Sequence, residues 1–288
     1  METSELLKKV RKIEIKTRGL SRHLFAGEYH SAFKGRGMSF SEVRDYHYGD
    51  DVRNIDWNVT ARTGSPHVKI FEEERELTVM LLIDMSPSSF FGTVNQLKNE
   101  VITEICAVLA FSAINNNDKV GVAFFANEVE KFIPPKKGKQ HILRIIRELI
   151  NFQPEGKGTD IGATLEYFNN LVKKRSICFL LSDFLSMGYE SALRVAARRH
   201  DLIGLNVIDP RAEELPSVGL LRAQDSETGE IRWIDTSSRR LREEYSQWHR
   251  EHLDYFKRAF KMSGADVVNI RTNESYVDAL HQFFQKRS

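Results

Sequence analysis

Three short stretches of this 288-residue chain carry oxygen donors of the kind a small hard cation takes. Asp84-Met85-Ser86-Pro87-Ser88 directly follows an apolar run ending in Ile83. Gly158-Thr159-Asp160 opens a helical pattern, and Ser182-Asp183 follows the apolar run 177–181. The carboxylates of Asp84 and Asp183, with the hydroxyls of Ser86, Ser88 and Thr159, would suit Mg²⁺ or Mn²⁺ in octahedral coordination, leaving positions for water or a partner's oxygen. The i, i+2, i+4 spacing just after a strand lets one turn aim Asp84, Ser86 and Ser88 at a single centre, and Pro87 stiffens that turn by fixing its φ. Each residue also has a plain structural reading: Ser86 and Ser88 suit turns or caps, and Thr159, Asp160 and Asp183 suit helix N-caps. The combination argues for chemistry.

Other chemistries lack their residues. There is no GxxxxGK[ST] loop, and Gly156-Lys157-Gly158-Thr159 misses the first glycine spacing of a phosphate cradle, so ATP hydrolysis by this chain is not expected. No GxSxG elbow or CxxC pair occurs. His249 and His252 flank Glu251 without HExxH spacing and read as packed or solvated. Lys131, Lys136, Lys137 and Lys139 read as a solvated basic loop, and Phe256, Phe260, Phe283 and Phe284 as helix-packing residues. No histidine or lysine is expected to adjoin the ligand stretches as a general acid or base.

The elements that must position these stretches alternate strand and helix, the pattern of a parallel sheet covered on both faces. Strands are expected at 77–83, 120–126, 177–181, 202–208 and 266–270. A short edge strand is expected at 131–133, ended by Pro134 and Pro135. Helices are expected at 94–114, 140–150, 161–173, 190–199, 238–262 and 275–284. In such a sheet, ligands bind beyond the carboxyl ends of the strands where strand order reverses. Two stretches break the alternation: 25–76, rich in Gly, Asp and Arg, and 209–235, with hairpin chemistry at 225–229. The expected domains are an N-terminal amphipathic helix (1–24), a β-rich region (25–76) packing with 209–235, and an α/β domain (77–288) carrying 209–235 as an insertion. A joint subdomain requires that both excursions leave the same end of the sheet.

Composition bounds the rest. At 33.2 kDa, folding hides about three quarters of the chain's surface, enough for a full core without disulfides. The formal charge of +2 gives no global field for nucleic acid or anionic lipid, so no nucleic-acid partner is expected. Cys106 and Cys178, both among apolar residues, read as buried free thiols in a reducing compartment. No apolar run reaches the roughly 18 residues of a membrane helix, and the expected location is cytoplasmic.

Taken in order, Asp84, Ser86, Ser88, Thr159 and Asp183 resemble the metal-ion-dependent adhesion site (MIDAS) of the von Willebrand factor A domain. That resemblance implies a doubly wound, mostly parallel sheet. It also implies an ion bound by the serines and threonine directly or through water, and by the aspartates mainly through water, with a partner's acidic residue completing the shell. A second resemblance lies within Lys34–Arg62. Gly49-Asp50-Asp51, Arg53, Ile55-Asp56-Trp57 and Thr60-Ala61-Arg62 are similar to the hallmark of the bacterial domain of unknown function 58 family. Asp209-Pro210, Glu214-Leu215-Pro216 and Glu227-Thr228-Gly229 match it too, and the pattern is broken at Ser39, where an acidic residue is expected before Phe40. Physically, Asp50, Asp51 and Asp56 among Arg44, Arg53 and Arg62 read as a charge-paired lattice over Trp57. The rival reading is a partner-binding surface anchored by Arg44, Arg53, Trp57 and Arg62.

The expected function is a non-catalytic, divalent-metal-dependent protein interaction module. The second resemblance implies an adaptor that works with a MoxR-type AAA+ ATPase and other von Willebrand factor A proteins, in chaperone-like assembly or stress response. The alternatives are a metal-dependent phosphoester hydrolase and a degenerate scaffold without metal.

Overall fold

A computed structural model of the chain describes residues 3–20, 32–33, 38–73, 76–90, 97–224 and 230–287. Its main sheet runs through β3 (Thr78–Asp84), β4 (Lys119–Phe125), β5 (Val129–Lys136), β6 (Ile177–Ser182), β7 (Asp201–Ile208) and β10 (Asp266–Arg271), in the order β10-β7-β6-β3-β4-β5. All neighbours are parallel except β5, which runs antiparallel to β4 at the edge. β6 and β7 are buried at every position and β3 at all but its first, because a central parallel strand is covered on both faces and takes an unbroken apolar run.

The helices α1 (Thr3–Leu20), α3 (Lys98–Asn115), α4 (Lys139–Asn151) and α8 (Tyr276–Arg287) cover one face. The other face takes α5 (Ile161–Leu171), α6 (Glu190–Arg199) and α7 (Arg239–Ser263). This is the expected α/β, doubly wound, mostly parallel architecture. α3 is buried on nearly all sides, which explains its weak helical periodicity: it lies on the sheet beneath α1 and α4. α1 is latched to α3 by Lys16 Nζ donating to both oxygens of the buried Glu104, at 2.7 and 2.6 Å, and to α4 by Lys139 on Glu14. Cys106 and Cys178 are buried free thiols.

Pro134 and Pro135 do not end the edge strand as expected. β5 continues to Lys136, and its ladder with β4 shifts register between the Val122–Ile133 and Val120–Lys136 pairs, where the prolines sit. An edge strand needs donors on one side only, and a bulge absorbs residues that cannot donate.

The first excursion forms its own antiparallel sheet, β1 (Met38–Asp45) with β2 (His67–Glu73), around α2 (Trp57–Thr63). The second forms β8 (Leu220–Gln224) with β9 (Ile231–Asp235); the turn residues 225–229 lie outside the described residues. The two excursions join opposite ends of the main sheet. β2 leads through 74–77 into the amino end of β3, whereas the second leaves the carboxyl end of β7, so the shared-end condition for a joint subdomain is not met.

Two predictions follow from the packing. Gly204, central in β7, faces Phe260, and a Cβ built there would lie 2.5 Å from the ring. Gly204→Ala should therefore lower stability by about 1–3 kcal/mol, read from a denaturant midpoint, with part regained by Phe260→Leu. His200, buried beside Phe168 and hydrogen-bonded to Ser176 Oγ at 3.0 Å, is held down to about pKa 4 by burial, then by Arg199 and Arg175. A depressed folded-state pKa means stability is full above pH 6.5 and is lost as pH falls toward 4, by on the order of 3 kcal/mol. His200→Gln should flatten that part of the acid-unfolding curve.

Candidate metal centre

From β3 the chain builds outward to β4 and β5 on one side and to β6, β7 and β10 on the other, so strand order reverses between β3 and β6. The carboxyl ends of these two strands are where such a sheet opens a crevice. Asp84 ends β3 and Ser182 ends β6.

Asp84 is completely buried, and its carboxylate is fixed from two sides. Ser182 Oγ donates to Oδ2 at 2.6 Å and the Ser86 backbone N–H to Oδ1 at 2.9 Å. Ser182 Oγ in turn accepts the Phe184 N–H at 3.1 Å, so one hydroxyl ties the two strand ends together. Ser89 Oγ closes the turn by donating to the Asp84 carbonyl at 2.9 Å. Burial, then the negative charge of Asp183, raise the Asp84 pKa to about 6 against the pull of the Ser182 and Ser86 hydrogen bonds. The Ser86 and Ser88 hydroxyls lie 3.0 Å apart, so the first stretch does gather its side-chain oxygens in one place.

Asp183 accepts from Lys98 Nζ at 2.9 Å through Oδ2 and from the Leu185 N–H at 3.4 Å through Oδ1. The next residue, Phe184, has φ +54°, a left-handed conformation that costs a non-glycine residue roughly 1–3 kcal/mol and gathers at functional sites. Its ring pays part of that back by stacking on Phe256 at 4.4 Å and meeting Phe260 edge-on at 5.2 Å.

Thr159 is half-buried in the loop before α5. That loop is anchored by the Glu155 and Gly156 N–H groups on the Glu130 carboxylate, and Asp160 caps α5 by accepting from the Ala163 N–H at 2.8 Å. The Asp160 N–H donates to the Ala126 carbonyl just past β4, while the Met85 N–H donates to the Phe125 carbonyl beside it. The Thr159 segment is thus stitched to the Asp84 turn through the end of β4.

The donors gathered at Asp84 are hard oxygens. Among the described residues no group of three His, Cys, Asp or Glu side chains could hold a metal. A cation here would depend on hydroxyls and two carboxylates, a set that fits Mg²⁺ or Mn²⁺ rather than a nitrogen- and sulfur-seeking ion.

Two residues escaped the sequence reading. Lys98 and His249 both line a small cavity with Asp183, Asn206 and Asp209, which corrects the expectation that no lysine or histidine adjoins the ligand stretches. The cavity has about 10 Å³ of free space, room for a single water. Burial lowers the His249 pKa, with Asp183 and Glu213 pulling the other way.

The family-motif residues are charge-paired as expected, with one correction. Arg44 grips Asp50 with two 2.8 Å hydrogen bonds, and Asp50 also accepts the His47 N–H. Arg53 pairs with Asp51 at 2.9 Å, and Asp56 caps α2 through the Asn58 and Val59 N–H groups while facing Lys69 at 3.5 Å. Trp57, the first residue of α2, is not covered by this lattice: it is 69% exposed. Arg62 is exposed as well.

The chain is 30% identical over 264 residues to "Uncharacterized protein Mb1516" of Mycobacterium bovis, covering 91% of this chain and 83% of that one. Among solved structures it is similar to an aerotolerance-related membrane protein from Bacteroides fragilis (17% identity, 73% of this chain and 98% of that one, TM-score 0.49) and to the SpRpn10 VWA domain (10% identity, 72% and 95%, TM-score 0.40). These likenesses are distant, and the fold assignment rests on the strand order and connections above. The model of the family "Protein of unknown function DUF58" matches residues 42–255. With that match spanning most of the described sheet and both excursions, the chain belongs to the DUF58 family.

Proposed function

We propose that this chain is a non-catalytic protein interaction module whose binding edge is the carboxyl end of β3 and β6, and that it works with a MoxR-type AAA+ ATPase and other von Willebrand factor A proteins. The observation that carries the reading is the fixed, buried Asp84 carboxylate at the sheet's switch point, beside two hydroxyls that meet at 3.0 Å. A carboxylate held from two sides is preorganised, so a ligand there is not charged for ordering it.

In this reading Asp84, Ser86, Ser88 and Thr159, with Asp183, would hold Mg²⁺ or Mn²⁺. When bound, the ion supplies an electrophilic position that accepts an acidic side chain from the partner. Ser182 orients Asp84, Ser89 locks the turn, and Phe184 aims Asp183. A cytoplasmic location is part of the proposal; among the described residues no helix is long and apolar enough to cross a membrane. Arg44, Arg53, Trp57 and Arg62 form the second proposed surface, of which Trp57 is the exposed aromatic.

The hydrolase reading gains a lysine and a histidine beside Asp183, but Lys98 is committed to that carboxylate and the cavity they line would not admit a phosphate ester. A scaffold without metal has one specific observation in its favour, the Lys98–Asp183 pair itself.

Binding to a MoxR-type ATPase, measured by surface plasmon resonance in Mg²⁺, should weaken at least tenfold in EDTA and in Thr159→Ala or Asp84→Asn. Asparagine is the better probe, because alanine would leave the Ser182 hydroxyl without its buried acceptor. Binding insensitive to all three, yet lost in Trp57→Ala, would move the interface to the family-motif surface. Trp57→Ala itself should change stability by no more than about 0.5 kcal/mol.

A further inference from the structure

Lys98 is out of place by ordinary rules. Its side chain is 5% exposed, although lysine is almost never buried unpaired. It is the first residue of α3, where the positive end of the helix dipole disfavours a cation. No side chain caps that helix end. What holds the ammonium there is Asp183, at 2.9 Å and only 11% exposed. A pair this enclosed gains little stability over well-packed apolar residues of similar volume.

The charges around it do not balance. Two carboxylates, Asp84 and Asp183, lie at the ends of neighbouring strands, and the charge of Asp183 is felt at Asp84. The Lys98 ammonium pairs with Asp183, and Asp209, Asn206 and His249 line the small cavity with them. Asn206, one of the residues lining the cavity, has its Oδ1 buried without a hydrogen-bond partner.

We propose that Lys98 is a resident counter-ion of this site: its ammonium neutralises Asp183 in the place where a divalent cation would draw on that carboxylate, so Lys98 and the ion compete. This rests on the ion-binding reading of Asp84, Ser86, Ser88, Thr159 and Asp183, and adds to it a built-in restraint. The chain alone binds the ion weakly, and a partner carboxylate that pairs with Lys98 releases Asp183 to the ion. Ion and partner therefore bind cooperatively, because each removes an obstacle to the other. The site is held shut by a residue of its own chain.

The test is Mn²⁺ titration by calorimetry, with the full chain, of the native protein, Lys98→Met, Lys98→Arg and the double variant Lys98→Met/Asp84→Asn. Lys98→Met keeps the length of the side chain and removes the charge. It should bind Mn²⁺ at least tenfold more tightly than the native chain, Lys98→Arg should bind as the native chain does, and the double variant should show no binding. If Lys98→Met does not fold in EDTA, its refolding by Mn²⁺, but not by NaCl of equal ionic strength, is the expected result, and failure of Mn²⁺ to restore it overturns the proposal. Equal affinity in the native chain and Lys98→Met overturns the restraint while leaving the ion site standing. No binding in either overturns the ion reading, and the restraint with it.

Discussion

The hydrogen bond from Ser182 to Asp84, 2.6 Å long and fully buried, joins the ends of the two strands between which the sheet changes direction. A doubly wound sheet has to open at that point, since the connections on either side lead away from it. Without a tie the two loops would be free to part. Ser182 holds them by donating to Asp84 and accepting from Phe184, and so transmits the position of β6 to the Asp84 turn. The strained Phe184, the Ser86–Ser88 contact and the Asp183 ion pair all take their places from that join.

Cost and benefit at this join differ in kind. A buried carboxylate beside another is disfavoured in its charged form, which is why Asp84 is pushed up to about 6. The fold accepts that cost and a left-handed phenylalanine within the same few residues, beside strands that are otherwise continuous apolar runs covered by helices on both faces. A left-handed phenylalanine beside two buried carboxylates puts backbone strain and charge within a few residues of each other, a pairing that gathers at functional sites.

Much of the fold was legible because its signals are local. The apolar runs of β3, β6 and β7 could only be central strands, and α6 begins and ends where its pattern does, Glu190–Arg199. The edge was harder. Pro134 and Pro135 look like a stop in sequence, yet an unpaired outer side and a bulge let β5 pass through them. Trp57 was harder to place: the charges around it read as a lattice over the ring, but those carboxylates pair locally with Arg44, Arg53 and Lys69 and leave it exposed. Asp84, Ser86, Ser88 and Asp183 stood out in sequence because their stretches follow apolar strands. Lys98, at the head of a helix and 85 positions before Asp183, carries no local mark of the partner that holds it. Ser182 was visible as a strand end, but which carboxylate it would serve depended on strand order, which spacing does not give.

The position of Lys98 also bears on how a hydroxyl-rich site can exist without constant occupancy. Two buried carboxylates left alone would repel, and the sheet would have either to protonate one or to open. A divalent ion removes that repulsion but ties folding to the supply of the ion. An ammonium drawn from the same chain removes half of it at no dependence on solution conditions, and Ser182 and Ser86 spread the remainder through hydrogen bonds to Asp84. The result is a centre stable enough to fold and still short of full neutralisation. On the proposed reading, that shortfall is what lets the site take up a cation once a partner's carboxylate has engaged Lys98.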